Sequence, residues 1–320
     1  MSAALKVVAA GPLDLLQDPF GRIGYQRFGV PVSGALDSTS LRIANLVAGN
    51  ADGMAGIEVF FQGPTLEVDA DSARFAAIGA SLEVHSGDAK RDVPAGQSVR
   101  LRRGERVKVG RCESGLVAYL AVEGGFAIAP FLGSQSTYLR AGFGGVAGKA
   151  VRKGDVLPLS APHAVERAER RAPEGSLPAP SRVRLVLGPQ DDHFTERGIR
   201  TLLEAAWTVS RQSDRMGMRL EGPPIEHAKG YNIVSDGIAP GAIQVPGNGQ
   251  PIVLLADRPT TGGYPKIATV ASADVPAFGR LRPGAAIRFE AVTVEQAEDA
   301  RRALEEHLAG LREAVCRIVD

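Results

Sequence analysis

The sequence predicts a mainly β fold of barrel or sandwich type, and three observations support this prediction. Glycine occurs 38 times and proline 21 times among 320 residues without a regular period, which indicates many tight turns and no fibrous repeat. Apolar runs of strand length, such as 73–78 and 116–122, lie between these turns. The hydrophobic fraction of 44% is sufficient for a packed core and argues against disorder.

Composition excludes several classes of protein. The formal net charge of +1 provides no basic surface for nucleic acid. Cys112 and Cys316 are far apart, and the five histidines are scattered, so neither a disulfide framework nor a metal site is expected. The apolar run within residues 1–10 is too short for a signal peptide or a membrane span. We therefore expect a soluble cytoplasmic protein.

Helical patterns are few. Residues 38–47 carry an apolar face behind Asp37, a suitable N-cap residue, and residues 195–206 form a second candidate. The clearest helix begins at Thr293, because Thr293 and Gln296 have the spacing of a capping box. Its apolar stripe recurs at steps of four and three through Leu304, Leu308, Leu311, Val315 and Ile318. This stripe either packs on its own domain or docks on a partner protein.

Charge, alanine and proline dominate residues 161–181, which show no strand pattern and are typical of a linker. This segment divides the chain into halves of similar length. We therefore expect an N-terminal β domain over residues 1–165, a linker over 166–181, and a C-terminal β domain over 182–320 that ends in the last helix.

The stretch 235–266 is the strongest sign of a binding site. An apolar run over 252–256 leads directly to an acidic residue, Asp257. Hydroxyl, glycine, aromatic and cationic residues follow it, namely Thr260, Thr261, Gly262, Gly263, Tyr264 and Lys266. A buried strand that ends in polar groups predicts a ligand site, and glycines there let backbone N–H groups approach the ligand closely.

Further polar clusters lie in turns, where carboxylates occur near arginines or hydroxyls. Their residues are Gln17, Asp18, Arg22, Ser33, Asp37, Asn45, Ser213, Asp214 and Arg215. An aspartate that caps a turn and pairs with an arginine would explain any single cluster. Several clusters together favour a shared pocket in which carboxylates orient an amide-like substrate. Cations there could hold an anionic group or stabilise an oxyanion.

Two other motifs do not fit known sites. The glycine-rich segment 142–150 lacks the first glycine of a phosphate-binding loop and has Ala150 where that motif needs serine or threonine. It is better interpreted as a turn between strands. His193 follows Asp191 and Asp192, which favours a turn with solvated charges over a carboxylate–histidine site.

The clusters and the 235–266 stretch together resemble a known family. The chain is similar to the biotin-dependent carboxyltransferase family, also called allophanate hydrolase subunit 2, KipA-type, or the C subunit of 5-oxoprolinase. The matching signatures run in order from about residue 11 to residue 289 and include 17–22, 29–37, 213–217, 241–246, 249–257 and 260–265. Residues 278–281 depart from the pattern, since the family often has glutamine before the leucine.

The resemblance implies cyclophilin-like β-barrel domains and an enzyme that is active only in a complex. The implied reaction is ATP-dependent hydrolysis of 5-oxoproline to glutamate, together with a smaller subunit-B-type protein and a third, A-type subunit. ATP would act at the level of the complex. One alternative is carboxyl transfer to urea or a related amide from biotin carried on another protein. Another is a non-catalytic binding protein that antagonises a kinase inhibitor.

The expected site follows from these residues and the resemblance together. We expect Asp257, Lys266 and Arg215 to be catalytic, although no residue can be named as the base. Substrate binding is expected from Gln17, Asp18, Arg22, Ser33, Asp37, Asn45, Ser213, Asp214, Gln244, Thr260, Thr261, Gly262, Gly263 and Tyr264.

Overall fold

The computed structural model describes residues 3–113, 115–178 and 182–317. Its contacts divide the chain into two units. Unit 1 comprises Met1–Arg22, Ser33–Leu177 and Leu308–Asp320, and unit 2 comprises Ile23–Val32 and Pro178–His307. No helix of the described residues is both long and apolar enough to cross a membrane.

Unit 1 is built mainly from short strands, as the spacing of turns predicts. Up to residue 171 these strands are β1 (Ala4–Ala9), β2 (Leu13–Gln17), β3 (Gly56–Phe60), β4 (Thr65–Asp69), β5 (Ser72–Ile78), β6 (Leu82–Ser86), β7 (Ala89–Val93), β8 (Ser98–Arg102), β9 (Arg106–Val109), β10 (Val117–Val122), β11 (Val156–Pro158) and β12 (Arg170–Arg171). They form a six-stranded sheet in the order β11-β1-β4-β9-β6-β7 and a five-stranded sheet in the order β2-β3-β10-β5-β8.

Between these sheets lies one hydrophobic core, to which Leu5, Ile57, Leu66, Phe75 and Leu120 contribute. The central strand β10 is buried at every position, because helix α1 (Ser38–Ala48) covers the other face of its sheet. Asp37 caps α1 by accepting a hydrogen bond from the Ser40 backbone N–H at 3.0 Å, which confirms the predicted N-cap.

Unit 2 contains a nearly closed barrel. Its strands are β13 (Val183–Leu187), β14 (Trp207–Val209), β15 (Gly217–Glu221), β16 (Asp236–Gly237), β17 (Ala242–Gln244), β18 (Ile252–Leu254), β19 (Thr261–Gly262), β20 (Lys266–Val270), β21 (Ala286–Ile287) and β22 (Phe289–Ala291). Eight of these form a sheet in the order β21-β14-β15-β18-β17-β20-β13-β22. A single residue separates the two edge strands β21 and β22 in sequence, so the chain itself joins the open edges. The mainly β, barrel-type prediction is confirmed.

Unit 2 also carries helices α2 (Glu196–Glu204) and α3 (Val275–Gly279), and a final helix α4 (Val294–Ala314) begins within it. Helix α2 lies inside the predicted 195–206 range. The predicted capping box at the start of α4 is present, since Gln296 Oε1 accepts from the Thr293 N–H at 2.9 Å and Thr293 Oγ1 accepts from the Gln296 N–H at 3.2 Å. Of the predicted stripe, Leu308 and Leu311 are buried, and Ile318 lies outside the described residues.

Part of the segment predicted to be a linker packs on unit 1. Strand β12 lies within it and pairs with β23 (Cys316–Arg317). Arg74, which is fully buried, donates to Glu123 at 2.5 Å, to Glu169 at 3.0 Å, and to the carbonyls of Val165 and Arg167. These bonds hold residues 165–169 against the sheet. The expected domain boundaries stay a prediction.

Candidate functional site

The apolar run predicted to end at Asp257 forms strand β18, which ends at Leu254. The hydrogen-bond ladder with the neighbouring chain segment continues past this end, because the Asp257 N–H donates to the Arg215 carbonyl at 2.9 Å. This register places the two side chains face to face. Arg215 donates from Nε to Asp257 Oδ2 at 2.8 Å and from Nη2 to Oδ1 at 3.1 Å. Both residues are buried, so the pair is a bidentate ion pair inside unit 2.

The residues next to Arg215 and Asp257 in sequence form hydrogen bonds of their own. Asp214 Oδ1 accepts from the N–H groups of Met216 and Gly217, and the Arg219 N–H donates to Ser213 Oγ at 3.0 Å. Arg258 is buried and donates to the carbonyls of Ile238 and Leu255, and burial lowers the pKa of its guanidinium to about 10. These bonds fix the turns on either side of the ion pair.

Lys266 lies in a second polar cluster of unit 2. It begins strand β20 at a bulge, where Gln244 pairs with Lys266 directly after Ile243 pairs with Ala268. A bulge turns a side chain out of the regular alternation of a strand. Lys266 Nζ donates to Asp236 Oδ2 at 2.8 Å, although Lys266 is only 2% exposed and the Asp236 side chain is 55% exposed. The ammonium therefore lies directly beneath a surface carboxylate.

Gln190 completes this cluster. Its side-chain oxygen accepts from the Lys266 N–H at 3.1 Å, and its own N–H donates to the Lys266 carbonyl at 3.0 Å. Its side-chain amide also reaches Asp236 Oδ2 at 3.3 Å. The pKa of Asp236 is held below its ordinary value, first by the hydrogen bond from Lys266 and then by the Gly237 N–H.

The residues between the two clusters form a tight hairpin-like contact. Thr261 pairs with Gly237, and Gly262 pairs with Asp236. A Cβ on Gly262 would lie 2.6 Å from the Gln244 side-chain nitrogen, so a larger residue here would require the Gln244 side chain to shift. Gln244 donates to the Tyr264 carbonyl at 3.2 Å, the Gly263 carbonyl accepts from the Ile233 N–H, and the Thr260 carbonyl accepts from the Ile238 N–H.

The remaining expected site residues lie in unit 1. Asp18 accepts hydrogen bonds from the N–H groups of Gly21 at 2.6 Å and Gln135 at 2.9 Å and from the Ser134 hydroxyl. Arg22 is 1% exposed, donates to the carbonyls of Phe131 and Ser136, and stacks on the Phe143 ring at 4.9 Å. These contacts tie the 18–22 loop to residues 131–143.

The Gln17 side-chain amide donates to the Thr137 carbonyl at 3.1 Å. The Asn45 side-chain amide donates to the Met54 carbonyl, and its oxygen accepts from the Asn50 side-chain amide. Among the described residues, Gln17 Oε1 and Ser33 Oγ are buried without a hydrogen-bond partner, and Ser33 has a φ of 58°. An unpaired buried polar atom is costly and uncommon, so these two atoms stand out from the other polar groups of unit 1.

Sequence reasoning missed Asp236 and Gln190 as members of the Lys266 cluster. Asp236 lies within the 235–266 stretch, but an isolated aspartate in a polar loop gives no signal. Gln190 lies next to Asp191, in a segment interpreted as a turn. Only the pairing of β16 with β19 and the bonds of Gln190 to the Lys266 backbone bring them together.

A family model described as "Carboxyltransferase domain, subdomain A and B" matches residues 28–291. The chain belongs to this carboxyltransferase family. The resemblance inferred from the sequence signatures is thereby confirmed.

Two curated members of the family match nearly the whole chain. A protein of Haemophilus influenzae, named as the C subunit of 5-oxoprolinase, is 38% identical over 307 residues, which are 95% of each chain. The protein of the same name from Escherichia coli is 36% identical over 302 residues, 93% of this chain and 94% of its own.

A solved structure of the Kluyveromyces lactis urea carboxylase also matches this chain. It superimposes with a TM-score of 0.88 at 29% identity. The match covers 100% of this chain but 30% of the urea carboxylase. A fold like that of this chain therefore occurs as one part of a much longer enzyme.

The glycine-rich loop near residue 144 does not fit the phosphates of ATP. A Cβ on Gly148 would lie 2.0 Å from the Gly142 carbonyl, and one on Gly144 would lie 2.1 Å from the Ser136 carbonyl oxygen. These glycines accommodate the backbone of the chain itself, whereas a phosphate-binding loop turns its backbone N–H groups toward the ligand.

Proposed function

We propose that this chain is the C-type component of an ATP-dependent 5-oxoprolinase, working in the cytoplasm with a subunit-B-type protein and an A-type subunit. The observation that carries the proposal is the extent of the match. The Haemophilus influenzae relative, named as the C subunit of 5-oxoprolinase, is aligned over 95% of both chains. The similarity therefore extends over nearly the full length of both sequences.

The polar groups of unit 2 suit a small lactam acid. Amide resonance makes a lactam carbonyl a poor electrophile, so the reaction needs activation of that carbonyl, for which ATP in the complex would supply the phosphoryl group. Lys266 would hold an anionic group of the substrate, and Gln244 and the backbone of residues 260–264 would border it. Because both oxygens of Asp257 accept from Arg215, we assign this pair to positioning the 213–217 turn.

In unit 1, Gln17 and Ser33 are proposed as substrate-binding residues in their own right, and their side-chain oxygens have no hydrogen-bond partner among the described residues. Asp18, Arg22, Asp37 and Asn45 would support them through the loop and helix-cap bonds described above. Asp37 caps α1 and so fixes where this helix begins, shortly after Ser33 in the sequence.

Reconstitution tests the proposal. The chain is co-expressed with a subunit-B-type and an A-type protein from the same organism, and ATP consumption and glutamate formation are followed with and without 5-oxoproline. We expect both only when all components and 5-oxoproline are present. ATP consumption that does not respond to 5-oxoproline, or glutamate formation that does not need this chain, would contradict the proposal.

The alternative function is carboxyl transfer from carboxybiotin, carried on another protein, to urea or a related amide. The observation that favours it is the superposition on urea carboxylase with a TM-score of 0.88. Biotin-dependent carboxylation of urea by the same reconstituted mixture would support this alternative. Tight binding of the partner with no turnover of either substrate would instead favour the non-catalytic alternative, a binding protein, over both enzymatic functions.

A further inference from the structure

The cation and the anion of the Lys266–Asp236 pair come from very different parts of unit 2. Lys266 belongs to a buried interior strand of the eight-stranded sheet. Asp236 belongs to the segment 228–237, which is exposed at every residue except the partly buried Ile233. Val234 in this segment is 91% exposed. The counter-charge of a core ammonium is thus supplied by a surface segment.

Few bonds attach this segment near Asp236. The Ile233 N–H donates to the Gly263 carbonyl at 2.9 Å, the Ile238 N–H donates to the Thr260 carbonyl at 3.1 Å, and the strands β16 and β19 pair over two residues each. Segments with few buried apolar contacts and exposed hydrogen bonds open at low free-energy cost. Displacement of the Asp236 side chain therefore disturbs little of the unit 2 core.

Three groups donate to the Asp236 carboxylate, and two of them, Lys266 and Gln190, lie outside its segment. Lys266 Nζ and the Gln190 side-chain amide both donate to Oδ2, at 2.8 Å and 3.3 Å, and the Gly237 N–H donates to Oδ1 at 2.7 Å. The Lys266 backbone and the Gln190 side chain are held to each other independently of Asp236, because the Gln190 side-chain oxygen accepts from the Lys266 N–H and the Gln190 N–H donates to the Lys266 carbonyl. If Asp236 moves away, the Lys266 ammonium and the Gln190 amide lose this carboxylate partner and can bind another carboxylate.

We propose that Lys266 and Gln190 form a carboxylate-binding subsite, that Asp236 occupies it in the free protein, and that the carboxylate of a small lactam acid displaces Asp236. The lactam part of this inference depends on the proposed function. Two facts favour exchange over a permanent pair: the anion lies on an exposed segment, and the bonds that join the Lys266 backbone to Gln190 do not involve Asp236. A buried ammonium needs a counter-charge at all times, which explains why the free protein supplies its own.

Binding to the full chain is the first test. The dissociation constant of L-5-oxoproline is measured by calorimetry and by the rise in melting temperature, with 2-pyrrolidinone, the same lactam without a carboxylate, as the control ligand. We expect Lys266→Gln to weaken L-5-oxoproline binding about tenfold or more, the scale of a charged hydrogen bond, and to leave 2-pyrrolidinone unaffected. Lys229→Ala is the matched control, because Lys229 lies on the same segment as Asp236 but pairs with exposed Asp192, and it should bind as the wild type does.

Asp236→Asn separates exchange from a structural pair. Removing the internal competitor should tighten L-5-oxoproline binding about three- to tenfold, since the subsite is then free for a larger fraction of the time. The ligand should also raise the melting temperature more in this variant than in the wild type. Equal or weaker binding by Asp236→Asn, or no binding of L-5-oxoproline to the wild-type chain, would overturn the proposal. This variant decides the question even if Lys266→Gln does not fold.

The same variants in the reconstituted complex distinguish the two proposals. With turnover established, Lys266→Gln should raise KM for 5-oxoproline with a smaller change in kcat. Turnover with an unchanged KM would mean that the function is right and the subsite is wrong. Lys266-dependent binding of L-5-oxoproline without turnover would mean that the subsite is right and the proposed function is wrong.

Discussion

The two ion pairs of unit 2 differ in how they are built. Arg215–Asp257 is buried on both sides and bidentate, and its two partners extend neighbouring, hydrogen-bonded chain segments. Lys266–Asp236 joins a buried cation to an exposed anion through one hydrogen bond from the ammonium. The first arrangement fixes two turns relative to each other, whereas the second leaves one partner replaceable. Both pairs have a shortest N–O distance of 2.8 Å, so distance does not distinguish them. The structural pair has both partners buried, whereas the exchangeable pair has one partner exposed.

The largest expected effect tests the structural pair. Asp257→Asn leaves Arg215 buried opposite a neutral amide, so we expect the free energy of unfolding to fall by about 3–5 kcal/mol. Urea denaturation of the full chain measures this change. The control is a double variant, Arg215→Met with Asp257→Leu, which removes both charges and should lose much less stability.

The same substitution tests whether Asp257 also takes part in chemistry. The melting temperature and the 5-oxoproline-coupled ATPase of Asp257→Asn are measured on one preparation. A structural pair predicts a lower melting temperature and full turnover by the folded fraction. A fall of about a hundredfold in turnover of the folded protein would instead make Asp257 a catalytic or positioning group.

Asp14 of unit 1 sharpens the comparison, because it is a buried carboxylate whose hydrogen bond within the described part of the chain comes from a backbone N–H and not from a cation. It is fully buried, Oδ2 accepts from the Gly11 N–H at 2.6 Å, and Oδ1 has no hydrogen-bond partner among the described residues. Burial raises its pKa to about 6. The folded protein therefore binds this proton more tightly than the unfolded chain does, and stability falls as the pH rises from about 4 through 6 and stays lower above it.

We expect Asp14→Asn to increase the free energy of unfolding by about 1–3 kcal/mol at pH 8, because the buried charge is removed. Below about pH 4 the side chain is protonated in both states, and the gain should disappear. Denaturation curves of the variant and the wild type at both pH values test this. A gain that is the same at both pH values would mean that the Asp14 charge is not responsible.

The smallest expected effect tests the exchangeable pair. Asp236→Asn should destabilise the chain less than Asp257→Asn, because movement of the exposed segment lets water reach the Lys266 ammonium. The lowered pKa of Asp236 means that its contribution is present above its ordinary pKa, near 4, and is lost as the pH falls through the folded value. Melting temperatures from about pH 3 to pH 8 measure this. A loss as large as that of Asp257→Asn would make Lys266–Asp236 a structural pair.

Local sequence patterns determined much of the fold of this protein. The spacing of glycines and prolines predicts short strands, Asp37 predicts the start of α1, and the hydroxyl and amide of Thr293 and Gln296 predict the start of α4. These features depend on backbone conformation and on groups three residues apart, so they need no knowledge of distant contacts. The signatures around 213–217 and 249–265 identify the family for a similar reason, since each consists of residues close together in the sequence.

Tertiary structure alone decided which charges meet. Sequence proximity suggests Arg258 or Lys266 as the partner of Asp257, but the pairing of β15 with β18 brings Arg215 to it across 42 positions. The bulge in β20 and the pairing of β16 with β19 give Lys266 a different partner, Asp236. Strand order and register set these distances, and they follow from packing of the whole sheet, which short-range patterns do not encode.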